Sequence, residues 1–485
     1  MTVSDLPERR ISGNRLAAVL GAWQRPGPAY AALADALRAG VLTGSIPLRT
    51  RVPSERELAD AVGVSRTTAT AAYDALRDEG YLLSRRGSGT VTTVPDHGER
   101  PPADYPAFAP DDGLVDLTIA APAAPPGLHA AILDALDLLP RHLASTGYSP
   151  GGLPELRAAL AARYSARGVP TTPDQILVTT GGQQAIHLLI ASHTGPGDRV
   201  LVEQPTYPHA LDAIRAAGAR PVPVPTGDDG LDLELFESTL RQTTPRLAYL
   251  IPDHRNPTGT SLTEQQRERI RALARRHRTL VVGDEALSDL TLDGPPPPPF
   301  AGDGTHSGLV VSLGSASKSF WGGLRIGWVR AHPDLVLRLA RARASVDIGS
   351  SALDQLVVAR LLADADQILP ARRAELRERR DLLLQLLAQR LPQWRVRPPA
   401  GGLALWADLG APVSSALAAL ALRHGVRLAP GPTFGVDASL ERYVRIPFTA
   451  PAAALTRAVD GLALAWHELG APRSDEPAAL DALVV

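Results

Sequence analysis

Five short apolar runs, at 175–180, 199–203, 246–251, 279–283 and 309–313, recur between helical stretches across the middle of the chain. Strands buried on both faces read as continuous apolar runs, and parallel neighbours need a crossover that is usually a helix. The alternation therefore commits this region to an α/β fold, a mainly parallel sheet covered by helices. At 485 residues the chain is too long for one ordinary domain, so at least one further folding unit is expected. There is no cysteine, which excludes disulfides, thiol nucleophiles and cysteine-bound zinc, and no metal site is expected. No run of eighteen apolar residues occurs, and the opening MTVSDLPERRISG lacks the apolar centre of a signal peptide. A soluble, cytoplasmic protein without a membrane segment is the expectation.

The region ahead of the alternation reads differently. A helical pattern from Pro28 (Ala31, Leu33, Ala36, Leu37) is expected to end near Gly40. Ser54 and Glu57 are spaced as a capping box that opens a second helix, and Gly63 stops it. Ser65 can cap a third helix through Leu76 and Glu79, stopped by Gly80, after which 81–83 and 90–91 read as strands around Arg85-Arg86-Gly87-Ser88-Gly89. That order is a winged helix-turn-helix. Such a module reads base edges with the first residues of its second helix, here Arg66, Thr67 and Thr68 behind Ser65. Arginine pairs bidentately with guanine, and threonine offers a hydroxyl or a methyl group. Arg56, Arg86 and Gly89 would approach the phosphate backbone or minor groove. Residues 1–95 hold twelve arginines against nine acidic residues, a mild basic bias toward nucleic acid. The plainer alternative is a solvated charged face. The segment PSERELADAVGVSRTTATAAYDALRDEGYLLSRRGSGT resembles the DNA-binding domain of the GntR family. The resemblance implies DNA contacts at Arg56, Arg66, Thr67, Thr68 and Gly89, with a departure at Thr70, where relatives often carry arginine.

The stretch PDHGERPPADYPAFAPDDG is rich in Pro, Asp and Gly without periodicity and reads as a linker. The expected divisions are a DNA-binding domain over 27–93, a linker over 94–114 and the α/β domain over 115–475. Residues 1–26 receive no functional assignment, and the prolines at 295–299 read as a rigid loop spacer.

One residue stands out by composition: of fifty basic side chains, forty-nine are arginine and one is lysine, Lys318. An arginine cannot lose its proton or form an imine in water, whereas a desolvated lysine amine can. Ser315-Ala316-Ser317-Lys318 precedes Gly322-Gly323-Leu324-Arg325, so a turn could gather Ser315, Ser317 and Arg325 around a phosphate while Lys318 reaches an aldehyde. Asp284 closes an apolar run where a strand-end carboxylate could pair with a pyridine nitrogen. Gly182 and Gln183 lie between a strand and a helix, a place for anions. Tyr207 could stack on a ring and Asn256 could donate to its oxygen. These are the demands of pyridoxal phosphate. Taken singly each has a plainer reading: a surface aspartate, a glycine turn, a core tyrosine, a turn-forming asparagine.

The ordered series GYSPGGLPELR, TTGGQQA, EQPTYP, NPTGT, GDEA, SASKSFWGGLRIGW and YVRIPF resembles the fold-type I aminotransferases from 115 to about 470. The fused architecture resembles the MocR subfamily of GntR regulators over nearly the whole chain. The resemblance implies that Lys318 is the catalytic-type lysine forming the internal aldimine, that Asp284 pairs with the pyridine nitrogen and that Asn256 meets the ring oxygen. It implies that Tyr207 stacks, that Gly182, Gln183, Ser315 and Arg325 hold phosphate, and that Arg445 binds a substrate carboxylate. Tyr148 would reach the cofactor phosphate of the other subunit, which implies a homodimer. One departure is that the tyrosine relatives place two or three residues after the aspartate is absent, the positions being Ala286 and Leu287. Its loss is expected to raise the aldimine pKa and slow turnover while leaving cofactor binding intact. The expected function is a regulator that binds double-stranded DNA and senses pyridoxal phosphate, an amino acid or an amine through the Lys318 aldimine, with weak or no transaminase activity. An aminotransferase with an accessory DNA-binding domain is the alternative; a cofactor-free dimerisation domain would leave Lys318 without a purpose.

Overall fold

The computed structural model describes residues 9–21, 23–24, 27–42, 45–46, 50–85, 89–93, 114–227, 230–302, 308–437 and 439–470. The chain divides into two compact units, Met1–Pro110 and Asp111–Val485. Most of the expected linker and Arg86 of the wing lie outside the described residues.

The first unit runs β1 (Arg9–Arg10), α1 (Gly13–Leu20), α2 (Ala29–Leu42), β2 (Thr50–Arg51), α3 (Glu55–Val62), α4 (Arg66–Asp78), β3 (Leu82–Arg85) and β4 (Gly89–Thr92). Both halves of the Ser54–Glu57 capping box form at the start of α3, and Gly63 ends that helix at φ +72°. Ser65 caps α4. Helix α2 passes through Gly40 to Leu42, two residues beyond the expected end, because tertiary packing outweighs glycine's cost of about 1 kcal/mol. The arm without an expected role adds an outer strand and a helix. β1 pairs in parallel with β2, giving a sheet of order β1-β2-β4-β3. α1 packs so closely on α3 that a Cβ at Gly13 would fall 2.9 Å from the Glu57 carbonyl oxygen. Leu16, Leu33, Leu58, Tyr73 and Leu76 close the core, each large apolar side chain contributing about 1.5–3 kcal/mol.

The second unit opens with β5 (Val115–Asp116), which pairs with Val426–Arg427. Its main sheet is built from β6 (Ile176–Thr179), β7 (Arg199–Gln204), β8 (Arg220–Gly227), β9 (Gly230–Leu231), β10 (Leu247–Leu250), β11 (Leu280–Asp284), β12 (Val310–Ser315) and β13 (Gly327–Arg330). Their order is β6-β13-β12-β11-β10-β7-β8-β9. Strands β12, β11, β10, β7 and β8 are parallel; β12, β11, β10 and β7 are buried on both faces, matching their continuous apolar runs, whereas β8, with Arg220 and Pro225 exposed, is not. β13 is antiparallel to both neighbours, as β9 is to β8. The reason at β13 is the connection: after Ser315 the chain makes only one helical turn, Ala316–Ser319, and a tight turn at Gly322–Leu324, too little to cross over the sheet. That hairpin-like return carries Lys318 and Arg325. A second, antiparallel sheet orders Arg395–Val396, Ala404–Asp408, Tyr443–Pro447 and Ala429–Pro430, with helices Ala365–Arg390, Ser414–Arg423 and Ala452–Glu468 packed around its core. The proline loop is tied down where Arg167 and Arg267 donate to the carbonyls of Pro297 and Pro298. Among the described residues no helix is long and apolar enough to cross a membrane.

Candidate cofactor site and nucleic-acid face

Lys318 sits one turn beyond β12, and its Nζ donates to the carbonyl of Ala120 at 2.9 Å. Burial pushes its amine down to about 8, helped by the positive charges of Arg445 and Arg325 and opposed by Asp284. Asp284 ends β11 as expected and is itself buried. The Tyr249 hydroxyl donates to its Oδ2 at 2.6 Å and the Ala286 N–H to its Oδ1 at 3.0 Å. Burial still raises the Asp284 carboxyl above its ordinary value, so a cationic hydrogen-bond donor beside it would be favoured. The Tyr207 phenol is pushed upward by burial and feels the charges of Asp284, Arg445 and Arg325, so these groups share one neighbourhood. Arg445 reaches in from the second sheet, donating to Asn256 Oδ1 at 3.3 Å and to the carbonyl of Thr118. Its guanidinium lies over the Phe434 ring at 4.8 Å, burial lowers it to about 10, and its Nε is buried without a hydrogen-bond partner.

Across from the lysine, Gly181 turns at φ +83° into the helix Gly182–His193, which has no side-chain cap. A Cβ at Gly181 would fall 2.6 Å from an Arg325 nitrogen, and one at Gly182 would fall 3.4 Å from the Ser315 Cβ. Arg325 is held at φ +49°. The structure thus brings Gly182, Ser315 and Arg325 together at an open helix N-terminus, where N–H groups and the helix dipole favour an anion. Gln183 donates its side-chain amide to the His209 carbonyl at 3.0 Å, leaving its Oε1 buried without a partner. Ser315 Oγ accepts from the Ser317 N–H at 3.2 Å, and Ser317 Oγ is another buried, unpartnered atom. An anion cradle, a buried carboxylate, orphaned polar atoms and a depressed amine fit a phosphorylated pyridine aldehyde. Ala286 borders a cavity of about 20 Å³ with Tyr164, Glu285, Asp289 and Ser319, room for one water. Tyr148 is 71% exposed and has no hydrogen bond or ring contact among the described residues.

In the first unit, Ser65 Oγ accepts from the Thr68 N–H at 3.1 Å and meets the hydroxyls of Thr67 and Thr68 at 2.7 and 2.8 Å. This locks the first turn of α4 and leaves Arg66 exposed beside it. Arg56 is exposed at the start of α3, and Gly89 begins β4 at φ +87°. Thr70 turns instead toward α3, its hydroxyl donating to Glu55 at 2.9 Å, while Arg77 holds the other oxygen of Glu55 at 3.0 Å.

Sequence reasoning missed Tyr249 and the carbonyls of Thr118 and Ala120. A polar tyrosine inside the apolar run at 246–251 was the only signal for the first; main-chain acceptors leave none.

Residues 29–91 match the family described as bacterial regulatory proteins, gntR family, and residues 128–462 match aminotransferase class I and II. The chain is 31% identical to "Uncharacterized HTH-type transcriptional regulator YisV" of Bacillus subtilis, covering 78% of this chain and 84% of that protein. It is also 31% identical to "Probable rhizopine catabolism regulatory protein MocR" of Rhizobium meliloti, covering 76% and 78%. Among solved structures, the α-aminoadipate aminotransferase LysN of Thermus thermophilus, complexed with N-(5'-phosphopyridoxyl)-L-leucine, aligns with a TM-score of 0.68 at 29% identity, covering 74% of this chain and 93% of that one. An N-terminal helix-turn-helix followed by an aminotransferase fold, matched along most of their length by regulators of the same build, places this chain in the MocR type of the GntR family.

Proposed function

We propose that this regulator binds pyridoxal 5'-phosphate through Lys318 and reports to DNA on the supply of that cofactor or of an amino compound. The observation that carries the reading is the sole lysine of the chain, its amine lowered to about 8 in a pocket that also holds the buried Asp284. In this reading Gly182, Gln183, Ser315, Ser317 and Arg325 hold the phosphate, and Asp284, braced by Tyr249, keeps a proton on the ring nitrogen. Tyr207 covers the ring, Asn256 meets its oxygen, and Arg445 takes the carboxylate of an amino-acid effector. When bound, the cofactor supplies an electron-withdrawing ring and a carbonyl carbon that amines attack. In this reading the working unit is a homodimer, and the exposed Tyr148 is available to the second copy of the chain. Arg56, Ser65, Arg66, Thr67, Thr68 and Gly89, with Arg86 from sequence alone, contact double-stranded DNA. The working divisions are 27–93 for DNA, 94–114 as tether and 115–475 for the cofactor, in a cytoplasmic protein.

Ala286 in place of a phenol removes a donor useful in turnover and leaves the binding groups in place, so transaminase activity is weak or absent. The unpartnered Nε of Arg445 beside Asn256 favours the second reading, an aminotransferase with an accessory DNA-binding domain. The two are separated by fluorescence anisotropy of DNA from upstream of the protein's own gene, titrated with protein stripped of and then reloaded with the cofactor. A change in specific affinity on reloading supports the regulator. Cofactor-independent affinity together with rapid amino-group transfer supports the enzyme.

A further inference from the structure

The arginines of the first unit whose side chains are described fall into two groups. Arg38 and Arg77 are each tied to two carboxylates: Asp35 and Glu79, and Glu55 and Asp74. Arg10, Arg15, Arg51, Arg56 and Arg66 make no ion pair among the described residues. Arg56 and Arg66 belong to the helix-turn-helix. Arg10 and Arg51 do not, yet they are placed together by the extra strand. β1 and β2 are in register with Arg10 opposite Arg51, and register partners on neighbouring strands, about 4.8 Å apart, project to the same face. Ile11 and Val52, which directly follow the two strands, are 7% and 6% exposed and turn into the core, so both arginines project outward. Two like charges side by side repel, and such an arrangement is stabilised by a shared anion.

The place of this pair is continuous with the DNA face. The Arg51 guanidinium lies against the start of β4, where a Cβ at Gly89 would fall 2.6 Å from its Nε. Strand β2 then leads through Val52 and Pro53 directly to the Ser54 cap of α3 and to Arg56. Glu57 is the nearby carboxylate, but its Oε2 already accepts from the Ser54 N–H and hydroxyl at 2.8 and 3.0 Å. Its carboxyl is held low first by those hydrogen bonds, with Arg10 and Arg51 adding to the effect.

We propose that Arg10 and Arg51 form a phosphate clamp that extends DNA binding from the helix-turn-helix onto the backbone flanking the wing. The proposal rests on the DNA-binding reading above and gives the N-terminal arm a role, because the strand it adds supplies half of the clamp. The clamp reads no bases, so it raises affinity for every sequence alike.

The test measures affinity against salt for the wild type, R10A/R51A, R10K/R51K and R66A, on a duplex from upstream of the protein's own gene and on a scrambled one. Each lost phosphate contact lowers the slope of log affinity against log salt by about 0.9. R10A/R51A is expected to lose about 1.8 from the slope on both duplexes, keeping the preference between them, and R10K/R51K to retain the wild-type slope. R66A is expected to lose the preference instead. Arg51 also packs on the wing, so R10Q alone, with an expected drop of about 0.9, serves if the double variant melts early. A wild-type slope in R10A/R51A or R10Q overturns the clamp while leaving the DNA-binding reading in place. A wild type that binds neither duplex overturns that reading itself.

Discussion

The ionisation of Lys318 offers the most direct trial of the site. An amine with a pKa of about 8 is roughly one-quarter unprotonated at pH 7.5, against about one part in a thousand for an ordinary lysine. The unprotonated form is the one that attacks an aldehyde carbon, so capture of pyridoxal phosphate by stripped protein is expected to quicken tenfold per pH unit up to about pH 8 and then flatten. Rapid-mixing absorbance from about pH 6 to pH 10 measures this. Arg445→Met removes the strongest neighbouring positive charge and is expected to move the plateau to higher pH. The same shift has a consequence for stability. Between about pH 8 and 10.5 the unfolded chain holds a proton that the folded chain has released, so stability rises with pH across that window. The full swing is about 3 kcal/mol, and it is present as a penalty on the stripped protein at neutral pH. Lys318→Met cannot titrate, so it is expected to be the more stable protein at pH 7 and to lose that advantage above about pH 10.5. A capture rate that keeps climbing to pH 10, or parallel pH–stability curves for the two proteins, would refute the reasoning.

Tyr249→Phe removes the phenol that donates to Asp284 Oδ2. A hydrogen bond to a charged group is worth about 1.5–3 kcal/mol, so cofactor affinity by fluorescence titration is expected to fall about ten- to hundredfold. Ser65→Ala strips the cap of α4, with about 1 kcal/mol of stability and the set of Thr67 and Thr68 lost, which thermal melting and DNA anisotropy would record together. Glu203→Gln breaks a pair with Arg255 in which both side chains are at most 1% exposed; stability is expected to fall by about 3–5 kcal/mol in urea unfolding.

Local signals were legible and long-range ones were not. The Ser54–Glu57 box, the Ser65 cap and the Gly63 stop depend on residues within one helical turn of each other, and each forms where its spacing puts it. Lys318, Asp284 and Gly182 could be picked out as candidates because they follow apolar runs, at the end of a sheet where ligand crevices form. Tyr249 was hidden because one phenol among Leu247, Ala248 and Leu250 reads as strand core, and its partner is thirty-five residues away. The reversed β13 depended on how little chain the turn after Ser315 contains. The helix α1 was missed because it is eight residues long and buries a single large apolar side chain, Leu16.

The backbone just after β5 is pinned twice: Lys318 holds the oxygen of Ala120, and Arg445 holds that of Thr118. On the reading proposed above, a Lys318 nitrogen bonded to an aldehyde carbon would keep at most one N–H where the free ammonium has three, and an Arg445 guanidinium turned to clasp a carboxylate would let Thr118 go. Binding in the pocket and mooring residues 118–120 would then draw on the same two donors. A ligand in the pocket would therefore be felt first at residues 118–120, the stretch that follows β5 at the opening of the second unit.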